Sequence, residues 1–410
     1  MAVIHPFRAL RPPAELAAQV ASVPYDVVNT EEARALAAGN PWSFLHVSRP
    51  EIDLPPGTDA YSEDVYKKAA NNFRELIERC PLKMEPEPSL YLYRLIMGED
   101  EQIGLVACCS VDEYDNNKIL KHEKTRPDKE DDRTRHIMAL HAQTGPVFLT
   151  YRENQDIDTM VMGVTITEAI YDFTAADGVE HTIWHVPDPV RFVQAFRDVP
   201  SLYIADGHHR AASASRTRTL MMKSNEQAHT GDEEYNFFLA VLFPSEQLRI
   251  LPYNRIVRDL NGLSTADFLT EVEKSFDVVE GAKEKPDSRG QWSMYLDNRW
   301  YGLTLKNELG LEVDDPVASL DVSVLQENLL DPILGIKDVR TDKRIDFVGG
   351  IRGTEELERM VNEGNAAVAF SLSPTTIDDL LRVSDAGSIM PPKSTWFEPK
   401  LRDGLLVHGI

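Results

Sequence analysis

The apolar run Ser201-Leu-Tyr-Ile-Ala205 leads without a break into Asp206-Gly-His-His-Arg210, and the Ala- and Ser-rich stretch Ala211 to Met222 follows at once. A run that ends in glycine and polar residues and then takes helical spacing implies a strand-turn-helix junction, and so a mixed α/β chain. Candidate chemistry gathers at the same place. Gly207 lets the backbone approach a ligand closely, and the helix behind it offers N–H groups with positive dipole character, a pattern suited to phosphate. His208 and His209 add donors. Arg210 could grip two phosphate oxygens, while Asp206 could hold a cation or orient a hydroxyl. An ordinary capped helix start is the plain alternative, since Asp is a common N-cap. Five consecutive polar or glycine residues after an apolar strand favour a functional turn.

The rest of the chain is expected to supply about three parts, because 410 residues exceed one core. Residues 1–88 carry an amphipathic helix near 59–79 and close on the Pro-rich Cys80 to Pro88. Residues 89–260 read as strands and helices around the turn: a hairpin over 89–111, a polar loop over 121–132, a helix over 133–143, a strand over 146–151, and strands over 234–243 and 247–256. Residues 261–410 form an α+β remainder ending in Met390-Pro-Pro-Lys-Ser-Thr-Trp-Phe-Glu-Pro-Lys400, too rich in proline for regular structure. Three cysteines make no disulfide framework, which suits a reducing compartment. A cytoplasmic setting is expected, with no export signal and no membrane span. The net charge of −24 argues against a DNA or RNA coat protein, whose affinity comes from Lys and Arg on phosphates. A local phosphate site is compatible with that charge, and so is a homodimer.

Several further residues are candidates. Glu123, in Lys121-His-Glu-Lys-Thr-Arg126, could be a general base, although a charge run is usually a solvated loop. Lys393, Ser394 and Thr395, with Lys400, could close over phosphate oxygens, or the segment could simply pack through Trp396 and Phe397. Tyr25, Asp26, Arg49, Arg133, Asn254 and Arg255 are substrate-binding candidates that also fit structural roles. The chain has no His-Glu-x-x-His, Cys-x-x-Cys or Gly-x-x-x-x-Gly-Lys-Ser/Thr, which disfavours a zinc enzyme or a P-loop ATPase. Mg²⁺ held mainly by phosphates and one carboxylate, with Asp206 as the candidate, needs little protein signature.

Ile204-Ala-Asp-Gly-His-His-Arg-Ala-Ala-Ser-Ala214 resembles the ParB and sulfiredoxin-like superfamily, most closely its free-serine kinase branch, over about residues 110–220. His122-Glu-Lys-Thr-Arg-Pro127, Leu251-Pro-Tyr-Asn-Arg255, Arg344-Ile-Asp-Phe-Val-Gly-Gly350 and Met390 to Lys400 resemble the family catalogued as domain of unknown function ten-fifteen, over nearly the whole chain. The resemblance implies an α/β (α+β) fold with a ParB/sulfiredoxin-like core and N- and C-terminal α+β additions. It also implies phosphoryl transfer on free serine, in either direction, with Mg²⁺ and with ATP or ADP as donor. Glu123 would be the base, Asp206 and His209 would share the catalytic work, and Gly207, His208 and Arg210 would hold phosphate and nucleotide. A phosphoserine phosphatase and a ParB-like nucleotide switch are the alternatives.

Overall fold

Residues 2–306 and 314–410 are described by a computed structural model, and the chain separates by contact into two units. The first takes in the chain up to Lys121, then Thr125–Leu248 and Pro399–Ile410; the second comprises His122–Lys124 and Arg249–Glu398. The expectation of a mixed α/β chain is met in both.

The first unit is built on a nine-stranded sheet. The hairpin Tyr91–Met97 and Asp100–Ser110 turns at Gly98 and sets Tyr91 opposite Val106. Phe237–Pro244 runs antiparallel to Asp100–Ser110 and parallel to Val147–Tyr151. Val147–Tyr151 in turn lies antiparallel to Leu202–Asp206, whose other edge pairs in parallel with Ile119–Leu120. Leu105, Ala107, Leu149, Ile204, Ala240 and Leu242 bury one face of these strands in a single apolar cluster. The helix His208–Ser224 covers them closely because Ala211, Ala212, Ser213 and Ala214 present small side chains there.

The helix Glu63–Arg79 buries Val65, Tyr66, Ala69, Phe73 and Leu76, a three-and-four spacing that makes one apolar face. That face joins Phe44, Val47, Leu140 and Val407 in a second cluster. The first 88 residues thus belong with the strands that follow, where a separate region was expected. Ile4–His5 pairs with Asp100–Ser110, and Ala9–Arg11 joins a four-stranded sheet with Lys83–Met84, Val407–Gly409 and Ala142–Gln143.

The second unit holds a six-stranded antiparallel sheet in the order Phe276–Glu280, Arg299–Leu305, Gln291–Leu296, Val368–Leu372, Tyr253–Val257, Ile345–Gly349. The division falls after Leu248, not at 260, because Tyr253–Val257 lies inside this sheet.

Three local expectations change. The charged 121–132 stretch is not all loop: a helix starts at Pro127, whose missing N–H costs nothing in a first turn, and runs to Leu140. The strand expected over 247–256 breaks at Pro252 into Arg249–Leu251 and Tyr253–Val257, which belong to different sheets. The Pro-rich tail segment contains a strand, Trp396–Glu398, paired with Arg249–Leu251. Among the described residues no helix is long and apolar enough to cross a membrane.

Candidate functional site

The strand Leu202–Asp206 ends in a register shift between Ile204 and Asp206. Gly207 follows at φ +91°, a left-handed conformation that residues with side chains seldom adopt. A Cβ there would lie 3.1 Å from Arg210 Nε and 3.4 Å from Val147 Cα. Gly207 is the N-cap of His208–Ser224 and has no side chain to cap the first turn, so the helix opens on backbone amides. Gly207→Val is expected to lower folding stability by about 1–3 kcal/mol, the usual size of such backbone strain, as read by urea denaturation.

Arg210 lies beneath this turn with 10% of its side chain exposed. Its Nη1 donates to the Pro146 carbonyl, and its Nη2 lies 3.8 Å from Asp26 Oδ2. Burial alone would push the guanidinium toward losing its charge, but Asp26, Asp206 and Asp403 outweigh that and hold it more firmly charged than usual. Nη1 is committed to the Pro146 carbonyl, while Nη2 stands beyond hydrogen-bond distance of Asp26. Arg210 therefore places a buried positive charge under the turn, with one arm of its fork tied to the backbone.

Asp206 Oδ1 accepts the Gly207 N–H at 2.7 Å, and Oδ2 accepts from Lys400 Nζ at 3.2 Å. Burial would raise this carboxyl; Lys400 and Arg210 pull it well below the usual carboxylate range instead. The donor set does not fit the magnesium ligand expected at Asp206. Both oxygens are engaged, and a dication there would face Lys400 and Arg210. His209 Nε2 accepts the Arg126 backbone N–H at 3.1 Å, which spends that lone pair and puts the ring proton on Nδ1. His209 thus fastens the entry of the helix Pro127–Leu140 to the turn, and His208 is buried.

Tyr25, Asp26 and Arg133 reach the same place. The Arg133 guanidinium lies 4.0 Å from the Tyr25 ring centre and donates to Asp132 Oδ2 at 2.9 Å, while Tyr66 donates to Asp132 Oδ1 at 2.9 Å. Arg49 is bound into the fold: Nη1 donates to the Tyr25 carbonyl at 3.3 Å, and Nε pairs with Glu51 at 2.8 Å.

Behind the turn a cavity of about 40 Å³ is lined by Tyr25, Ser48, Arg133, Gly145, Arg210 and Asp403, among others. One buried water needs roughly 10–15 Å³, so the space takes a few waters and no nucleotide. Asp403 is 2% exposed, and its Oδ1, Ser48 Oγ and Arg210 Nε have no hydrogen-bond partner among the described residues. Burial, supported by Asp26 and opposed by Arg210 and Arg133, pushes the Asp403 carboxyl up to about 7.

Folded Asp403 keeps its proton to about pH 7, whereas the unfolded carboxyl loses it near 3.8. Through this group stability falls as pH rises between those values and is level above. Asp206 acts oppositely, adding stability above the unfolded value that is lost in acid. Ionised Asp403 also adds a negative charge under the turn. Phosphate or nucleotide affinity is therefore expected to fall as pH rises through about 7, and Asp403→Asn to flatten that profile in calorimetric titrations. Lys400 closes the Met390–Lys400 segment singled out above, whereas Asp403 stands in no recognisable motif of its own. Their positions follow from the return of Pro399–Ile410 to the first unit.

The remaining candidates lie in the second unit. Glu123 belongs to the short segment His122–Lys124, whose His122 carbonyl accepts the Met390 N–H at 2.8 Å. Asn254 is buried and accepts the Leu372 N–H at 3.2 Å. Ser394 Oγ donates to the Pro391 carbonyl at 2.6 Å, and Thr395 Oγ1 lies 3.5 Å from His122 Nε2. Lys393 is exposed, and Arg255 is buried beside its carbonyl.

Residues 4–323 match the family model described as "Protein of unknown function (DUF1015)", and the chain belongs to that family. No curated protein matches the chain. Among solved structures, it is similar to a conserved hypothetical protein from Pyrococcus furiosus at 14% identity and TM-score 0.36, over 74% of this chain and 95% of that one. A free serine kinase in complex with AMP aligns at 13% identity and TM-score 0.36, over 72% and 91% of the two chains. SbnI with a C-terminal truncation, from Staphylococcus aureus, aligns at 12% identity and TM-score 0.40, over 74% and 87%.

Proposed function

We propose that the protein transfers a phosphoryl group between a nucleotide and the hydroxyl of a small metabolite, with free serine as the acceptor to test first. One observation carries this reading. A left-handed glycine opens a 17-residue helix directly above the buried Arg210 and beside Lys400, in a chain whose net charge is −24. With Asp403 neutral, Asp206 and Asp26 balance the two cations, and the amide dipoles of the helix are left in surplus for an oxyanion.

In this reading the turn holds phosphate through its backbone amides, Arg210 and Lys400 supply fixed positive charge, and Asp206 keeps Lys400 in place. Positioning and charge neutralisation are what phosphoryl transfer chiefly requires. A divalent metal would arrive on the nucleotide phosphates as part of the substrate. The acceptor oxygen attacks the terminal phosphorus, the bond to the nucleotide oxygen breaks, and the hydroxyl proton passes to a base. The resemblance to free-serine kinases assigns that base to Glu123, and the same resemblance supports a ParB/sulfiredoxin-like core around the turn.

Phosphorus NMR tests the reading. The purified protein with Mg²⁺ is incubated with serine plus ATP, serine plus ADP, and phosphoserine with and without a nucleotide acceptor. New phosphoserine signal supports a kinase. Free phosphate released without nucleotide supports a phosphatase, and no change in any tube with folded protein removes serine.

A further inference from the structure

In the second unit, Arg255 sits inside the six-stranded sheet on Tyr253–Val257 and is 3% exposed. A guanidinium carries five N–H donors and a permanent charge, and burying it without a counter-charge costs several kcal/mol. The partners that the structure gives Arg255 are neutral. Nη1 donates to the Tyr253 carbonyl, Nη2 donates to the Lys393 carbonyl at 3.1 Å, and the Phe347 ring centre lies 5.4 Å from Cζ. Every other strongly buried arginine discussed above meets a carboxylate: Arg210 meets Asp26, and Arg133 meets Asp132. Burial pushes the Arg255 guanidinium down to about 10, a cost that an anion would remove.

A second observation points to the same place. Lys393 has φ +58°, a conformation that costs a residue with a side chain about 1 kcal/mol or more. Its carbonyl covers Arg255, while its Nζ lies 5.4 Å from the ring centre of Tyr253, the residue two before Arg255 and so on the same face of the strand. The segment is anchored on both sides. Thr375 Oγ1 donates to the Ser394 carbonyl at 2.8 Å, and the Trp396 ring fills the space over Gly349, where a Cβ would come within 2.9 Å. The strained turn therefore holds a second cation on the segment whose carbonyl covers Arg255, a buried cation with no counter-charge among the described residues.

We propose that Arg255 and Lys393 form an oxyanion site within the second unit, taking the phosphate or carboxylate group of a small ligand. This site is separate from the phosphate reading of the Asp206–Arg210 turn and does not depend on it.

The test is thermal unfolding and calorimetric titration of the full chain with inorganic phosphate and, separately, with acetate, for wild type, Arg255→Met, Lys393→Gly and Arg210→Met. Arg255→Met replaces an uncompensated buried charge by a side chain of similar length. It should melt at or above the wild-type temperature in anion-free buffer and lose the anion-dependent rise in melting temperature. Lys393→Gly relieves the left-handed strain, so it should fold at least as well as wild type and bind the anion about tenfold more weakly. Phosphate and acetate arms identify which oxyanion is taken. Wild-type affinity for both anions in both Arg255→Met and Lys393→Gly overturns the proposal. Loss in Arg210→Met alone would do so while leaving the turn reading intact. Loss in the Arg255 and Lys393 variants, with Arg210→Met unchanged, supports this site and contradicts that reading.

Discussion

Replacing Arg210 by Met is expected to abolish phosphoryl transfer, weaken nucleotide binding on the order of 100-fold or more, and destabilise the fold by about 3–5 kcal/mol, the usual result of removing one partner from a buried charge cluster. The size follows from what Arg210 holds. It is 10% exposed, ties the Pro146 carbonyl beneath the turn, and balances Asp26, Asp206 and Asp403. Met fills similar volume but leaves those carboxylates facing one another. The loss of stability should be greatest above about pH 7, where Asp403 ionises, and smaller below it. Arg210→Lys, which keeps the charge without the fork, should recover part of the stability. Urea denaturation and nucleotide titration at two pH values separate these effects. A Met variant as stable as wild type at both would show that the charges under the turn are not coupled.

The second large effect concerns the base. Glu123→Gln is expected to lower turnover by roughly 10²–10⁴, the usual contribution of a positioned general base, while leaving nucleotide affinity within about twofold. Glutamine keeps the shape and the hydrogen-bonding oxygen but cannot take the hydroxyl proton. Rapid-quench turnover with a parallel binding measurement distinguishes a lost base from a lost site. Full activity in the variant would remove Glu123 from the chemistry and leave the proposed role of the Asp206–Arg210 turn untouched.

Local signals in the sequence located the turn well. An apolar run, a glycine and a following small-residue helix specify Leu202–Asp206, Gly207 and His208–Ser224, because each obeys short-range rules of periodicity and backbone freedom. The helix begins three residues earlier than its Ala-rich pattern suggested, since His208, His209 and Arg210 form its first turn. Relations that depend on distant chain segments were not legible. Nothing near Leu401-Arg-Asp-Gly404 marks Asp403 as a wall of the cavity behind a turn almost 200 residues away. The split at Pro252 was written in the sequence but overridden by the apolar residues on both sides, whose alternation reads as one strand. Arg210 is the instructive case. Its type and place were evident, whereas its burial comes from packing against Pro146 and Asp26.

Whether the Asp206–Arg210 turn holds phosphate is decided by a crystal structure of the protein with ADP and Mg²⁺. The terminal phosphate is expected at the N-terminus of His208–Ser224, within hydrogen-bond distance of the first-turn amides and beside Lys400. Nucleotide bound elsewhere with the turn empty, at concentrations that saturate the protein in solution, would contradict that placement.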